Sequence, residues 1–115
     1  ETGRVPRLFD GELPELNIGT YGGVSCGPNL ETAVADMETA SPFETVLNGR
    51  FQGGFITREY GKPLKNVHAV QLEISQRVYM DEDSAAYDAQ KASLLRGTLR
   101  RMLGAYIETA RRDYA

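Results

Sequence analysis

The stretch from Asp88 to Asp113 most constrains how this chain can fold. From Leu95 onward, apolar residues recur at i, i+4, i+7, i+8, i+11, i+12 and i+15, which is the pattern of an amphipathic helix. A helix with one apolar stripe must bury that stripe against another element. We therefore expect a long final helix that packs on the rest of the chain. The stripe consists of Leu95, Leu99, Met102, Leu103, Tyr106, Ile107 and Ala110.

Two glycines and a group of arginines affect the stability and the exposure of this helix. Gly97 and Gly104 each weaken a helix by about 1 kcal/mol relative to alanine, so we expect close packing against a neighbour to explain at least one of them. The arginines crowd into the last twenty residues and predict a solvated helix face. They are Arg96, Arg100, Arg101, Arg111 and Arg112.

The preceding residues alternate between strand and helix patterns. Residues 1–16 contain turn formers and isolated apolar residues, so we expect them to be irregular. The other segments predict an α/β protein with a mostly parallel sheet. They are strands at Leu16 to Thr20, Glu44 to Asn48 and Val67 to Ile74, a helix from Pro28 to about Thr39, and a loop entering a short extended piece at Phe51 to Thr57.

The leading catalytic candidate is Glu73, a carboxylate in the otherwise apolar strand from Val67 to Ile74. The mixed apolar pattern of this strand predicts burial on both faces. A carboxylate is costly to bury there unless it is paired, binds a metal, or acts as an acid or base. We therefore expect Glu73 to have a chemical role.

His68 is the single histidine and lies five residues before Glu73. In a regular strand the two side chains would point to opposite faces, so a direct dyad is not expected. His68 can be a structural residue or part of a substrate pocket. One histidine with scattered carboxylates does not supply a catalytic zinc site, which usually has three protein ligands.

Three other side chains are candidates for binding a substrate. Arg50 and Arg58 flank Gly53 and Gly54, and a guanidinium is a suitable partner for a substrate carboxylate. Tyr60 has a phenol that can donate to a developing oxyanion. The alternatives are surface positions for the arginines and simple packing for the tyrosine.

Composition argues against several classes of partner. The net charge of −3 and the pI near 5.1 provide no general attraction for nucleic acid or an anionic membrane. No apolar run approaches the roughly 20 residues of a membrane span. The single cysteine, Cys26, cannot form an internal disulfide, which fits a reducing cytoplasm, and it lacks a convincing base for nucleophilic catalysis.

Three ordered motifs carry a family resemblance. They are VPRLFDGELPELNIGT followed by GVSC, then NGRFQGGFITREYGKP, then VHAVQLEISQRVYMDE. In this order they resemble the C-terminal part of the N-formylglutamate deformylase (N-formylglutamate amidohydrolase) family. The resemblance covers Val5 to Glu82.

The resemblance implies a fold and an activity. It implies a zinc-carboxypeptidase-like fold, with a mixed sheet flanked by helices, and hydrolysis of N-formyl-L-glutamate, a small molecule, to formate and glutamate in histidine degradation. It also implies that zinc, or another divalent metal, is held by residues upstream of this chain. Residues 1–115 then form the C-terminal portion of one amidohydrolase domain whose metal-binding half is absent, and this segment alone should be inactive.

Roles for individual residues follow from the same resemblance. Glu73 takes the place of the glutamate that activates the attacking water, while Arg50 and Arg58 would contact substrate carboxylates and His68 would be a weaker pocket residue. Glu59 stands where the family pattern leads us to expect histidine. Two alternatives are a non-catalytic binding or assembly module and an amidase for another N-acyl amino acid. A truncated domain would also expose apolar surface and a sheet edge, which predicts self-association.

Overall fold

The structure, a computed structural model, describes residues 11–115. Of the irregular segment predicted at residues 1–16, residues 1–10 lie outside the described range. Two short 3₁₀ turns, Pro63–Lys65 and Gln76–Val78, flank the third strand. The other elements in chain order are β1 (Leu16–Gly19), α1 (Pro28–Thr39), β2 (Thr45–Leu47), α2 (Phe55–Tyr60), β3 (Gln71–Ile74), β4 (Met80–Asp81), β5 (Ala86–Tyr87) and α3 (Ala89–Asp113).

The main sheet has three strands in the order β2-β1-β3. Strand β1 runs parallel to β2, with Leu16 beside Thr45, and antiparallel to β3, with Leu16 beside Ile74. The α/β class is therefore confirmed. The prediction of a mostly parallel sheet is not confirmed, because the described residues give β1 one parallel and one antiparallel neighbour. Strands β4 and β5 form a separate antiparallel pair.

Strand β3 is shorter than predicted. Only Gln71–Ile74 is strand, and Val67 instead forms an isolated bridge with Lys62. Leu72 and Ile74 pack into the hydrophobic core, whereas the alternate residues point to the other face. The prediction of a strand buried on both faces is therefore wrong: β3 has one apolar and one polar face.

Helices α1 and α3 cover the apolar face of the sheet. Val34 of α1 and Met102 of α3 pack against Ile18, and Leu95 of α3 packs against Leu16. Helix α3 begins after Asp88, whose carboxylate accepts a hydrogen bond from the Lys91 N–H at 3.0 Å. Within the residues described, no helix is both long enough and apolar enough to cross a membrane.

The buried stripe of α3 differs in part from the prediction. Leu95 and Met102 are buried as expected, but Leu103 and Ile107 are about half exposed. Two threonines, Thr98 and Thr109, are buried instead. The core thus contacts α3 along a line rotated slightly from the apolar stripe, which leaves apolar side chains at its border.

Helix α2 occupies a segment for which the sequence predicted an extended piece. Gly54, which precedes α2, has an extended backbone. At the other end of α2, the Gly61 N–H donates to the Thr57 carbonyl. Thr57 is the buried residue of this six-residue helix. A segment of six residues is too short to show a helical period. The pattern of apolar residues alone therefore could not identify this helix.

Candidate functional site

The polar face of the sheet carries the main catalytic candidate. Gln71 and Glu73 alternate with the core residues of β3 and therefore share this face. In the register of the sheet, Glu73 lies opposite Asn17, and Gln71 lies opposite Gly19. Directly opposite residues have side chains about 5 Å apart, so these groups are neighbours. We call the face formed by Asn17, Gly19, Gln71 and Glu73 the polar sheet face.

A loop covers part of the polar sheet face. This Gly-Gly loop, residues 48–54, is fastened by Asn17, whose Nδ2 donates to the Phe51 carbonyl at 2.7 Å while its Oδ1 accepts from the Phe51 N–H at 3.3 Å. A Cβ on Gly19 would lie 2.8 Å from the Gln52 carbonyl oxygen. Only glycine at position 19 lets the loop approach the strand so closely.

Asn48 fastens the start of the Gly-Gly loop to the end of β1. Its Oδ1 accepts from the Thr20 N–H at 2.9 Å, and its Nδ2 donates to the Thr20 hydroxyl at 2.8 Å. The Thr20 hydroxyl in turn donates to Glu31 of α1 at 2.5 Å. The loop is therefore held to the sheet by side chains rather than by strand pairing.

Gln71 joins the Gly-Gly loop to Glu73. Its Oε1 accepts from the Gly54 N–H at 2.6 Å and from the Thr57 hydroxyl at 3.4 Å. Its Nε2 donates to Glu73 Oε1 at 3.0 Å. Among residues 11–115, no hydrogen bond reaches the other oxygen of Glu73, Oε2. Glu73 is half-buried, and the bond from Gln71 fixes one of its oxygens.

Arg58 belongs to the same hydrogen-bonded group. Its Nε–H donates to the Gly54 carbonyl at 3.4 Å, so Gly54 connects this guanidinium to Gln71 and then to Glu73. Arg50 lies in the Gly-Gly loop itself, and both arginines are exposed. The structure thus brings three of the predicted site residues into one region.

The two other predicted residues lie apart from this group. Tyr60 is exposed at the end of α2, and no hydrogen bond within the described part of the chain links it to Glu73. The ring of His68 packs at 4.5 Å from that of Tyr114. Its Nδ1 accepts from the Gly27 N–H at 2.9 Å, and its Nε2 lies 2.9 Å from Asn66 Oδ1.

The hydrogen bonds of His68 define its tautomer. Because a backbone N–H can only donate, Nδ1 must be the acceptor and the ring proton must be on Nε2, facing the Asn66 oxygen. Both ring nitrogens therefore have partners. These contacts favour the structural alternative for His68, although it also lines an apolar cavity of about 290 Å³ together with Thr57 and Tyr106.

Cys26 is buried near the start of α1. Burial, with a smaller contribution from the negative charge of Glu31, raises the pKa of its thiol to about 11. The thiolate is the reactive form, so this environment disfavours nucleophilic catalysis.

The donor set within residues 11–115 does not fit a metal centre. It contains no group of three or more histidine, cysteine, aspartate or glutamate side chains placed to hold an ion. The single histidine is also occupied on both ring nitrogens. The polar sheet face and the adjacent loop and helix α2 therefore offer a carboxylate and two guanidinium groups, but not a zinc site within residues 11–115.

Sequence reasoning missed Gln71 and Asn17, which organise the site around Glu73. A signal was present for Gln71, because its spacing of two from Glu73 places both on one face of a strand. Asn17 gave no such signal within its own segment. Its role depends on the pairing of β1 with β3, which the local pattern does not specify.

Comparisons with known proteins show the family to which this chain belongs. A family model described as N-formylglutamate amidohydrolase matches residues 2–80, which include β3 and the Gly-Gly loop. The N-formylglutamate deformylase of Pseudomonas aeruginosa is 48% identical over 113 residues, covering 96% of this chain and 42% of that protein. The enzyme of the same name from Pseudomonas putida is 52% identical over 79 residues, covering 68% and 30%. The chain thus spans less than half the length of these curated relatives.

A solved structure supports the fold. The crystal structure of N-formylglutamate amidohydrolase from Ralstonia eutropha JMP134 matches with a TM-score of 0.75, covering 90% of this chain and 37% of that one. At 21% identity this likeness concerns the fold alone. The family model, which matches well over half of the residues, and the relative with 48% identity confirm the resemblance drawn from the three motifs. The chain belongs to the N-formylglutamate amidohydrolase family.

Proposed function

We propose that the complete protein carrying this chain hydrolyses N-formyl-L-glutamate to formate and L-glutamate. In this proposal residues 1–115 are the C-terminal portion of one amidohydrolase domain and supply the general base and part of the substrate pocket. The observation that carries it is Glu73, a half-buried carboxylate that Gln71 joins to the Gly-Gly loop, in which Arg50 lies. The choice of N-formyl-L-glutamate as the substrate is based on family membership.

Glu73 acts as a proton carrier in the proposed reaction. Its Oε2 accepts a proton from water as the water oxygen attacks the formyl carbon, which forms a tetrahedral intermediate. Glu73 then returns the proton to the amide nitrogen as the C–N bond breaks. The products are formate and the free amine of glutamate.

The two arginines bind the substrate in this proposal. N-formyl-L-glutamate has two carboxylates, and Arg50 and Arg58 provide two guanidinium groups at the Gly-Gly loop. Tyr60 as an oxyanion donor and His68 as a pocket residue remain predictions. Because both lie outside the hydrogen-bonded group around Glu73, we give neither of them a step.

A zinc ion, or another divalent metal, is part of the proposal for the complete enzyme. Since residues 11–115 do not fit a metal centre, its ligands would lie outside them. Such an ion generally lowers the pKa of a bound water and polarises a carbonyl. The proposal has three further parts, which are based on the resemblance and the sequence. They are a role in histidine degradation, a cytoplasmic location and self-association.

The test is formate release by the complete enzyme and, separately, by the 115-residue chain. We expect the complete enzyme to be active on N-formyl-L-glutamate, and the 115-residue chain alone to be inactive with or without added zinc. N-acetyl-L-glutamate and N-formylglycine serve as matched controls for the acyl group and the side chain. Faster hydrolysis of a control would favour an amidase for another N-acyl amino acid, and no hydrolysis at all would favour a binding module.

A further inference from the structure

The orientation of the Gln71 side chain follows from its partners. The Gly54 backbone N–H can only donate, so the amide atom 2.6 Å from it must be the oxygen. The Gln71 NH₂ group must then face Glu73 Oε1, at 3.0 Å. Glutamine is suited to this place because one end of its amide accepts and the other donates.

We propose that Gln71 is a positioning residue for Glu73, which fixes one carboxylate oxygen and couples it to the Gly-Gly loop. This inference rests on the proposed function. The NH₂ group donates to Oε1 and so restrains the orientation of the carboxylate. It also occupies Oε1, which assigns to Oε2 the proton transfer of the proposed reaction.

The hydrogen-bonded chain from Glu73 through Gln71 continues to Arg58, the proposed substrate-binding residue. The carbonyl of Gly54 accepts from Arg58, and its N–H is held by Gln71. A Cβ on Gly54 would lie 3.3 Å from the Gln71 oxygen, so this contact is already tight. A substrate carboxylate bound at Arg58 therefore acts on a peptide segment that is hydrogen-bonded, through Gln71, to the base.

Two substitutions of Gln71 distinguish the effect of its hydrogen bond to Glu73 from that of its hydrogen bond to Gly54. Gln71→Glu keeps an oxygen to accept from Gly54 but replaces the donor to Glu73 with a second carboxylate. Gln71→Met keeps the length of the side chain and removes both hydrogen bonds. Gln90→Glu is the matched control, because Gln90 is exposed on α3 and remote from the polar sheet face.

The pH profile of the complete enzyme is the kinetic readout. For Gln71→Glu we expect the acidic limb of kcat/KM to move up by about one pH unit or more, because two adjacent carboxylates resist ionising together. On the acidic limb kcat/KM should fall about tenfold, as a shift of one pH unit requires, with KM within about threefold and recovery at higher pH. Gln71→Met should instead raise KM as well, since it also frees the loop.

An activity-independent readout accompanies the kinetics. In the 115-residue chain, the titration of the Glu73 carboxyl carbon is followed by NMR. Its midpoint should rise by about one pH unit in Gln71→Glu, where a second carboxylate lies beside it, but not in Gln90→Glu. An unchanged Glu73 titration in Gln71→Glu would overturn the inference, as would unchanged Glu73 carboxyl and Gly54 amide chemical shifts in Gln71→Met if the first variant does not fold.

The two proposals fail separately. If the complete wild-type enzyme releases no formate, the proposed function is wrong, and the NMR titration still decides whether Gln71 positions Glu73. If the wild type is active but Gln71→Glu has the pH profile of Gln90→Glu, the function stands and the role of Gln71 is refuted.

Discussion

Glu38 shows how one residue can make the stability of this fold depend on pH. It lies near the end of α1, is fully buried, and neither of its carboxylate oxygens has a hydrogen-bond partner within residues 11–115. Burial is the cause that raises its pKa from 4.5 to about 7. In the folded chain this carboxyl therefore retains its proton at pH values where an unfolded chain has already lost it.

We expect Glu38 to destabilise the fold as pH rises. Between about pH 4.5 and 7 the unfolded state binds fewer protons than the folded state, so the free energy of unfolding falls with increasing pH. The total loss is about 3 kcal/mol at most and is complete above pH 7. Glu38→Gln should remove most of this slope, as measured by urea unfolding at pH 5 and pH 8.

The matched control for Glu38 is Asp36→Asn on the same helix, where the side chain is exposed. This change should leave the pH dependence of unfolding close to that of the wild type. Equal slopes for Glu38→Gln and the wild type would show that Glu38 ionises normally in the folded chain.

At the residue scale, sequence could indicate Glu73 but not its setting. A carboxylate among apolar neighbours is visible in a linear pattern. Its partners are not, because Asn17 is 56 positions away in the chain and meets it only through strand pairing. Strand alternation places Gln71 on the same face as Glu73, so the sequence contains a signal for Gln71. The expectation of a strand buried on both faces hides that signal, because it predicts no polar face.

At the scale of elements, the helices with a strong signal were predicted well. Pro28 can begin a helix, and the apolar spacing that follows it gave α1 its observed bounds. Helix α3 was recognised because 25 residues display the period many times. Helix α2 was missed because its existence depends on burial of Thr57 and on the flanking loop rather than on a repeating pattern.

The glycines of α3 have no packing role of the kind that the sequence suggested. Apart from the backbone of its own helix, a Cβ on Gly104 would meet no atom of residues 11–115 within 4 Å, and one on Gly97 would meet the flexible Arg101 side chain at an ordinary 3.6 Å. The expectation of close packing is therefore wrong for both. Gly104→Ala should raise the free energy of unfolding by about 1 kcal/mol, as measured by urea denaturation.

Gly61→Ala is the contrasting substitution for the glycine prediction. There a Cβ would lie 2.5 Å from the Ser25 carbonyl oxygen, so the backbone would have to shift. We expect a loss of about 1–3 kcal/mol. A stabilised Gly61→Ala, or a destabilised Gly104→Ala, would contradict the packing described for these positions.

At the scale of the whole molecule, the two faces of the sheet are covered differently. Two helices bury one face, while a loop held by Asn17, Asn48 and Gln71 covers the other. The alternation of strands and helices predicted the class. It could not predict the antiparallel β3, because strand direction depends on the long connection between β2 and β3 rather than on local residues.

The predicted self-association has a candidate surface on α3 and α2. Ile56 and Leu103 are exposed and line the apolar cavity of about 290 Å³, and Ile107 is exposed one helical turn beyond Leu103. We expect the sedimentation coefficient of the 115-residue chain to rise with concentration, and Leu103→Lys to reduce that rise. Leu94→Lys is the control, since Leu94 is similarly exposed but lies nine residues earlier, on the opposite side of the helix. A single monomeric species at every concentration would refute the prediction.

The central claim is that Glu73 is the general base of an N-formylglutamate hydrolase. Its most direct test is the kcat of the complete enzyme carrying Glu73→Gln, a change that keeps the shape of the side chain and removes its basicity. We predict that kcat falls by about 10²–10⁴-fold while KM changes little. Glu108→Gln, at an exposed position on α3, should retain full activity. Wild-type turnover by a folded Glu73→Gln enzyme would contradict the account.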